Sequence, residues 1–435
     1  AIDYRRRYDA WFGYLAFDEP ASSGRLVTVT NFEHATIELF DVTNGIRFVD
    51  FAVDSARVDT VIRYTATFED APSTGVGYVA ADSLSIRTPL GFMDTPSQLR
   101  DFGNGADYLI ITHPRFVEAA SRLAEHRRNS GLDVAIALTD DIYDEFAFGL
   151  MSRKAIADFI AYTYDSWQRR PVYVLLMGDA TYDYRNIINS GNPSFVPTLY
   201  YHARDRGHSP SDYHYTLVDG DDLLPDLAIG RLAVESADQA MATVDKIIRY
   251  DEGPESGDWR SRVLYAANYH PKEIFSAQSD SLATRYTEPF GLTSVRVYSP
   301  DNSPLPNLTG RRYLDALNAG ALTLNFSGHG SAGNMQFVFA LQFADWDYLS
   351  HVRNGGRLPF VTALSCLNGM FVNPTVDGLG EVFTTKPDGG AIAFVSATAI
   401  SRVLENNSLS DYLYNHFFER RNLEFGPSLN ASKVS

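Results

Sequence analysis

Two rhythms of hydrophobic and polar positions divide the chain. From Arg25 to about Pro89, short β-branched and aromatic runs alternate with turn residues: Leu26-Val27-Thr28-Val29-Thr30, Thr36-Ile37-Glu38-Leu39-Phe40, Val61-Ile62-Arg63-Tyr64-Thr65 and Gly77-Tyr78-Val79. This spacing predicts a small antiparallel β domain over residues 1–96. After Asp107 the rhythm becomes strand then helix. Tyr108-Leu109-Ile110-Ile111-Thr112 is followed by a helical stretch from Phe116 to Asn129, then Val134-Ala135-Ile136-Ala137-Leu138. Ser152 reads as the N-cap of a helix with Ile156, Phe159 and Ile160 on one face, and Val172 to Met177 as a buried strand closed by Gly178-Asp179. Alternation of this kind predicts a mainly parallel sheet covered by helices, an α/β subdomain over residues 97–257.

The segment from Ala180 to Pro225 is long, polar and aromatic, and is expected to lie over the sheet edge. A helix from Ser236 to Tyr250 leads to the break Asp251-Glu252-Gly253-Pro254-Glu255-Ser256-Gly257. Buried strands then resume at Val263–Ala267, Val295–Tyr298, Ala321–Phe326, Phe360–Leu364 and Ala391–Val395. They predict a second α/β subdomain over residues 258–435.

Composition narrows the function. The formal net charge of -17 leaves no basic run to neutralise successive phosphates, so nucleic acid is excluded as a partner. No apolar run reaches the roughly 18 residues of a membrane span, and the start, Ala-Ile-Asp-Tyr-Arg-Arg-Arg, lacks the core of a signal peptide. The chain is expected to be a portion of a longer precursor. A single cysteine rules out internal disulfides and multi-thiolate metal sites. That thiol, Cys366, is either a nucleophile or a small packing side chain, and its surroundings must decide.

Those surroundings favour chemistry. Two buried strands end in unusual punctuation, Ser327-Gly328-His329-Gly330-Ser331 after one and Ser365-Cys366-Leu367-Asn368-Gly369 after the next. Ligands bind at strand carboxyl ends in open α/β sheets. A free thiol has a pKa near 8.5, and a neighbouring imidazole can take its proton as attack proceeds. His329 is the candidate base, and the backbone amides of Gly330 and Cys366 are candidate donors to an oxyanion. The loop Asp219-Gly220-Asp221-Asp222 carries oxygen donors suited to calcium but is shorter than an EF-hand and lacks its distal Glu. A solvated turn is the first reading of Asp219 and Asp221, with structural calcium as the alternative; the chemistry itself requires no cofactor.

The His and Cys blocks, Leu324 to Ser331 and Leu358 to Gly369, and the distance between them resemble the gingipain family of cysteine peptidases (peptidase family C25, clan CD). Further similar blocks are Ile142-Tyr143-Asp144-Glu145-Phe146, Leu175 to Asp179, Ser211-Asp212-Tyr213 and Asp226 to Arg231. The resemblance runs from about Asp107 to Phe418, and the first of these blocks is closest to the type IX secretion sortase branch. It implies a caspase-like fold of two α/β subdomains and a cysteine endopeptidase with Cys366 as nucleophile and His329 as base. Many members orient that histidine with an acid after the first strand of the second subdomain. Here the stretch reads Ala266-Ala267-Asn268-Tyr269-His270, leaving Asn268 or the Tyr269 hydroxyl for the task. Near the acid that gives some members their Arg specificity this chain has Ser276, with Asp280 further along.

The expected function is a secreted bacterial endopeptidase acting on protein or peptide substrates through a thioester. The alternatives are a sortase-like transpeptidase that works with an outer-membrane secretion component, and a non-catalytic module keeping the peptidase fold. The expected location is outside the cell or on the outer-membrane surface.

Overall fold

In a computed structural model, residues 8–87, 95–203, 207–253, 255–302, 308–335, 339–340, 347–422 and 424–434 are described. The chain forms two compact units, Ala1–Thr95 and Pro96–Ser435. The first holds two four-stranded sheets, and the strands expected from the sequence fall at Arg25–Phe32, Ile37–Asp41 (one residue later than expected at its start), Val61–Asp70 and Val76–Asp82. Their inward residues, among them Val29, Phe32, Leu39, Phe68 and Tyr78, make one core. Ala52–Val58 had no strand signal because it is exposed along its whole length; backbone pairing with Val61–Asp70 holds it as an edge.

In the second unit we number the sheet strands β1 to β9. β1 (Tyr108–Thr112), β2 (Val134–Leu138), β3 (Tyr173–Met177) and β4 (Ala228–Leu232) form an all-parallel sheet in the order β2-β1-β3-β4. Alternate residues of these strands enter different cores. Leu109, Ile111, Val174 and Leu176 pack with Ile156, Phe159 and Ile160, while Ile110, Leu175 and Met177 pack with Leu123 and Val244. Both faces are covered, which is why the strands read as unbroken apolar runs. Ser152 caps its helix as expected, its Oγ accepting from the Ala155 amide at 3.3 Å.

The second sheet is also all parallel: β5 (Arg262–Ala267), β6 (Thr293–Tyr298), β7 (Thr323–Ser327), β8 (Phe360–Leu364) and β9 (Ala393–Ser396), ordered β6-β5-β7-β8-β9. β7 and β8 are central and fully buried. Leu324, Phe326, Val361 and Ala363 face one core with Tyr313 and Leu317. Asn325 points to the other side, where its Nδ2 donates to Thr362 Oγ1 at 3.0 Å, so a polar pair is satisfied inside the sheet.

The segment 180–225 does more than cover an edge. Tyr200–Ala203 and Gly207–Pro210 pair as a hairpin, and Val196 and Tyr215 enter the first sheet's core. The Tyr215 hydroxyl donates to the Pro197 carbonyl at 2.9 Å, which is how an aromatic polar group is buried there.

One short helix links the two sheets. We call α1 the helix Ala237–Glu252 beside the first sheet and α2 the helix Leu379–Thr385 beside the second. Lys246 of α1 is 3% exposed, and its Nζ donates to the carbonyls of Thr384 at 2.5 Å and Lys386 at 2.9 Å at the end of α2. An amine donor among the last carbonyls of a helix satisfies acceptors that have no partner within the helix. Lys246→Met keeps the aliphatic stem and is expected to cost about 2–3 kcal/mol in urea unfolding. Lys154→Met, which breaks the exposed Lys154–Asp158 pair, should cost under about 0.5 kcal/mol. Equal losses in the two variants would discount the clamp.

Candidate active site

β7 and β8 are paired in register with Ser327 opposite Leu364. His329 and Cys366 each follow two residues beyond that last pair, so both arrive at the same rim of the sheet. The turns they stand on touch. A Cβ built on Gly330 would lie 2.7 Å from the Cys366 carbonyl oxygen, 2.7 Å from Ser365 Oγ and 2.7 Å from Asn368 Oδ1. On the other flank, a Cβ on Gly328 would lie 2.3 Å from Asn268 Oδ1 and 2.8 Å from the Phe326 ring. Neither glycine has a positive φ, so close backbone approach, and not a left-handed conformation, is what excludes a side chain at both positions.

Asn268 directly follows β5, is 3% exposed, and reaches the histidine turn through the backbone: its Oδ1 accepts from the His329 amide at 2.7 Å. Tyr269 stands beside it, half-buried. The His329 imidazole is exposed and meets the buried Phe275 ring nearly edge-on, with centroids 5.3 Å apart and planes at 84°. Ser276 turns its hydroxyl back to the Glu273 carbonyl at 3.0 Å. Asp280 faces β6, accepting from Arg296 at 2.7 Å and from the Tyr298 hydroxyl at 2.9 Å.

Asn368 locks the two turns together and went unnoticed in the sequence except as part of a block. It is fully buried, accepts from the Ser365 hydroxyl, and donates from Nδ2 to the carbonyls of Ser331 at 2.6 Å and Asn334 at 2.8 Å. Its own carbonyl accepts from the Gly380 amide at 2.9 Å, so the first turn of α2 is tied to the same point. Leu367, between Cys366 and Asn368, sits at φ 62, a left-handed conformation that costs a non-glycine residue about 1 kcal/mol and recurs at functional sites. Half-buried Cys366 packs on the segment after β9, which is also held by Leu367 N–H to Ala399 O at 3.1 Å.

Three blocks without an assigned role in the sequence converge on the chain that follows Cys366. Arg231 of β4 makes a two-pronged ion pair with Asp212, at 2.7 Å and 2.8 Å, and donates to the carbonyls of Gly178 at 2.6 Å and Val196 at 2.8 Å. Its guanidinium lies 4.7 Å over the Phe371 ring. Asp179, two residues beyond β3, sets its buried carboxyl against that of Glu381 of α2. The long 180–225 segment joins them: Tyr182 N–H donates to Val372 O at 3.0 Å, and Thr398 Oγ1 donates to Pro210 O at 2.7 Å. Side chains at opposite ends of the sequence signal nothing until the fold brings them together.

Asp219 and Asp221 lie on an exposed loop. Its backbone is held by Asp226, whose Oδ2 accepts from the amides of Val218 and Asp219, both at 2.9 Å. Among the described residues, no group of three or more His, Cys, Asp or Glu side chains is set to hold a metal ion. Among the described residues, too, no helix is long and apolar enough to cross a membrane.

Beside Gly328 a shallow depression is lined by Phe275, Leu364, Val403, Asn406 and Ser410, and none of its lining residues is charged. A parallel α/β sheet whose central strands end in a thiol and an imidazole is the frame expected of a caspase-like cysteine peptidase. Residues 102–435 match the model of peptidase family C25, and the chain belongs to that family. Gingipain R2 of Porphyromonas gingivalis is 21% identical over 314 residues, covering 70% of this chain and 38% of that protein. This chain therefore spans about two fifths of that relative's length. Two solved structures share the fold. The complex of Porphyromonas gingivalis RgpB pro- and mature domains has a TM-score of 0.62 at 20% identity, covering 75% of this chain and 73% of that one. The Arg specific cysteine proteinase gingipain R gives 0.62 at 19%, covering 79% and 74%. These likenesses do not separate the sortase branch from the other members.

The Asp179–Glu381 pair carries a pH prediction. Burial raises both carboxyls above their ordinary range, and for Glu381 the Asp179 carboxylate is the next cause. The Ala180 amide and the Arg231 charge pull Asp179 back in part, while Glu235 pushes it up and Asp377 does so to Glu381. The folded pair thus keeps a proton that an unfolded chain sheds near pH 4. Its stabilisation is complete below about pH 4 and is lost as pH rises through the folded values. Glu381→Gln supplies a permanent neutral donor. Thermal melts from pH 5 to pH 9 should show the variant losing less stability than the parent, by about 1 kcal/mol or more. Parallel melting curves would sink this account.

Proposed function

We infer that the chain is a cysteine endopeptidase with Cys366 as nucleophile and His329 as base. Cys366 Sγ attacks the carbonyl carbon of a peptide bond while the thiol proton passes to the His329 imidazole. The backbone amides of Gly330 and Cys366 are the proposed donors to the oxyanion. As the C–N bond breaks, the imidazolium returns its proton to the leaving amine, and a thioester remains on Cys366. Water, deprotonated by His329, then splits the thioester; the acid product leaves and the thiol is restored. The observation carrying this reading is the in-register pairing of β7 and β8, with Gly330 packed on the Cys366 carbonyl.

Substrates are proteins or peptides. One solved relative is described as Arg specific. Secretion from a bacterial cell, with action outside it or at the outer-membrane surface beside a secretion component, is the setting that the family suggests.

An irreversible peptidyl electrophile should label Cys366 and nothing else. Cys366→Ala, with an unchanged melt, should lose turnover by at least about 1,000-fold, and His329→Ala by about 100-fold or more. Turnover that survives Cys366→Ala refutes the assignment, and a parent chain with no turnover points to the non-catalytic module. Products carrying an added amine would redirect the reading to transpeptidation.

A further inference from the structure

The thiol has polar neighbours on the side supplied by the segment after β9. The Ser401 amide donates to Cys366 Sγ at 3.4 Å, and the Ser401 hydroxyl lies 3.9 Å from the same sulfur as a donor. The thiol can in turn donate to the Ser401 carbonyl at 3.6 Å. Behind Ser401 stands Asn406, whose Nδ2 donates to Ser401 Oγ at 2.9 Å and to the Leu364 carbonyl at 2.9 Å. That arrangement has a direction. A hydroxyl has one proton, and because Ser401 Oγ accepts from Asn406, its own proton is left to point at the sulfur. Asn406 also fixes the carbonyl of the last residue of β8, two positions before the cysteine, so the donor and the strand end move as one body.

We propose that Ser401, aligned by Asn406, is a positioning residue that holds Cys366 by donating its amide and hydroxyl to the sulfur in its thiolate form. The proposal rests on the peptidase reading above and assigns the side of the thiol that meets the segment after β9. It also gives the thiol two settings. As S–H it donates to the Ser401 carbonyl; when the proton moves to His329, the sulfur accepts from the Ser401 amide and hydroxyl in place of donating. No bond other than S–H is broken in that change, and the proton ends on the imidazole. Hydrogen bonds that favour the charged form ease its formation. Ser401 also lies just ahead of the helix Val403–Tyr414, whose amino-terminal end favours negative charge. The nearby charges, Arg402 and Glu405, pair with each other at 3.6 Å on its exposed first turn, and His329 is the titratable group of the neighbouring turn.

Because the chain has one cysteine, alkylation by iodoacetamide reports Cys366 alone. Its rate should be followed from pH 5 to pH 10 by mass spectrometry for the full chain, Ser401→Ala, Ser401→Thr and Asn406→Leu, each first checked by thermal melting. Ser401→Ala should move the midpoint of the profile upward by about half a pH unit or more. Asn406→Leu should move it the same way by less, and Ser401→Thr should restore the parent profile. With a peptide substrate, the kcat of Ser401→Ala should fall several-fold near neutral pH and recover toward the parent at high pH. A merely structural residue would not give that recovery. An alkylation profile for Ser401→Ala that superimposes on the parent overturns the proposal, as does a Thr variant that behaves like Ala. No substrate enters the alkylation series, so a parent chain that cleaves nothing would sink the peptidase reading while leaving this comparison decisive.

Discussion

The backbone pairing of Thr323–Ser327 with Phe360–Leu364 is the constraint on which the site depends. Parallel strands in register end level with one another, and the second residue after each end is His329 or Cys366. A slip of one residue would reverse the faces of Leu324 and Phe326 as well as separate the turns, so core burial and site geometry are enforced together. Burying each of those side chains is worth about 1.5–3 kcal/mol, which makes the register expensive to change. The glycines at 328 and 330 then let the turns close to contact, where Asn268 and Asn368 secure them.

The first sheet supports the candidate site without contributing Cys366 or His329. The helix Leu379–Thr385 is tied to Asn368 at its first turn, to Asp179 through Glu381, and to Lys246 at its end. Arg231 and the 180–225 segment grip the chain after Cys366 from the same side. Most of these ties are buried and polar, so breaking one leaves an uncompensated partner in a place water does not reach. The geometry at the rim therefore depends on residues far from it in sequence.

The strand and helix rhythm was legible because both sheets are covered on both faces, and the signal comes from apolar burial itself. The strand Ala52–Val58 was illegible for the opposite reason: it buries neither face. Within the 180–225 segment, Tyr215 looked like one more surface aromatic, and only the Pro197 carbonyl explains how its hydroxyl is buried. Cys366 and His329 stood out through their glycine-rich, strand-ending contexts. Asn368, Ser401 and Asn406 carry no such mark, since an amide or hydroxyl in a loop is ordinary until its partner is known.

By itself, the sequence determined the strand-then-helix rhythm of the second unit, the burial of its central strands and the two turns that carry thiol and imidazole. Those properties follow from local composition and from periodicity along the chain. The tertiary structure decided what those turns touch: Asn268 at the histidine amide, Asn368 between the turns, Ser401 at the sulfur, and the carboxyl pair that joins the two sheets. Such contacts span tens to hundreds of residues, and hydrogen-bond geometry over that separation is set only when the sheets have packed.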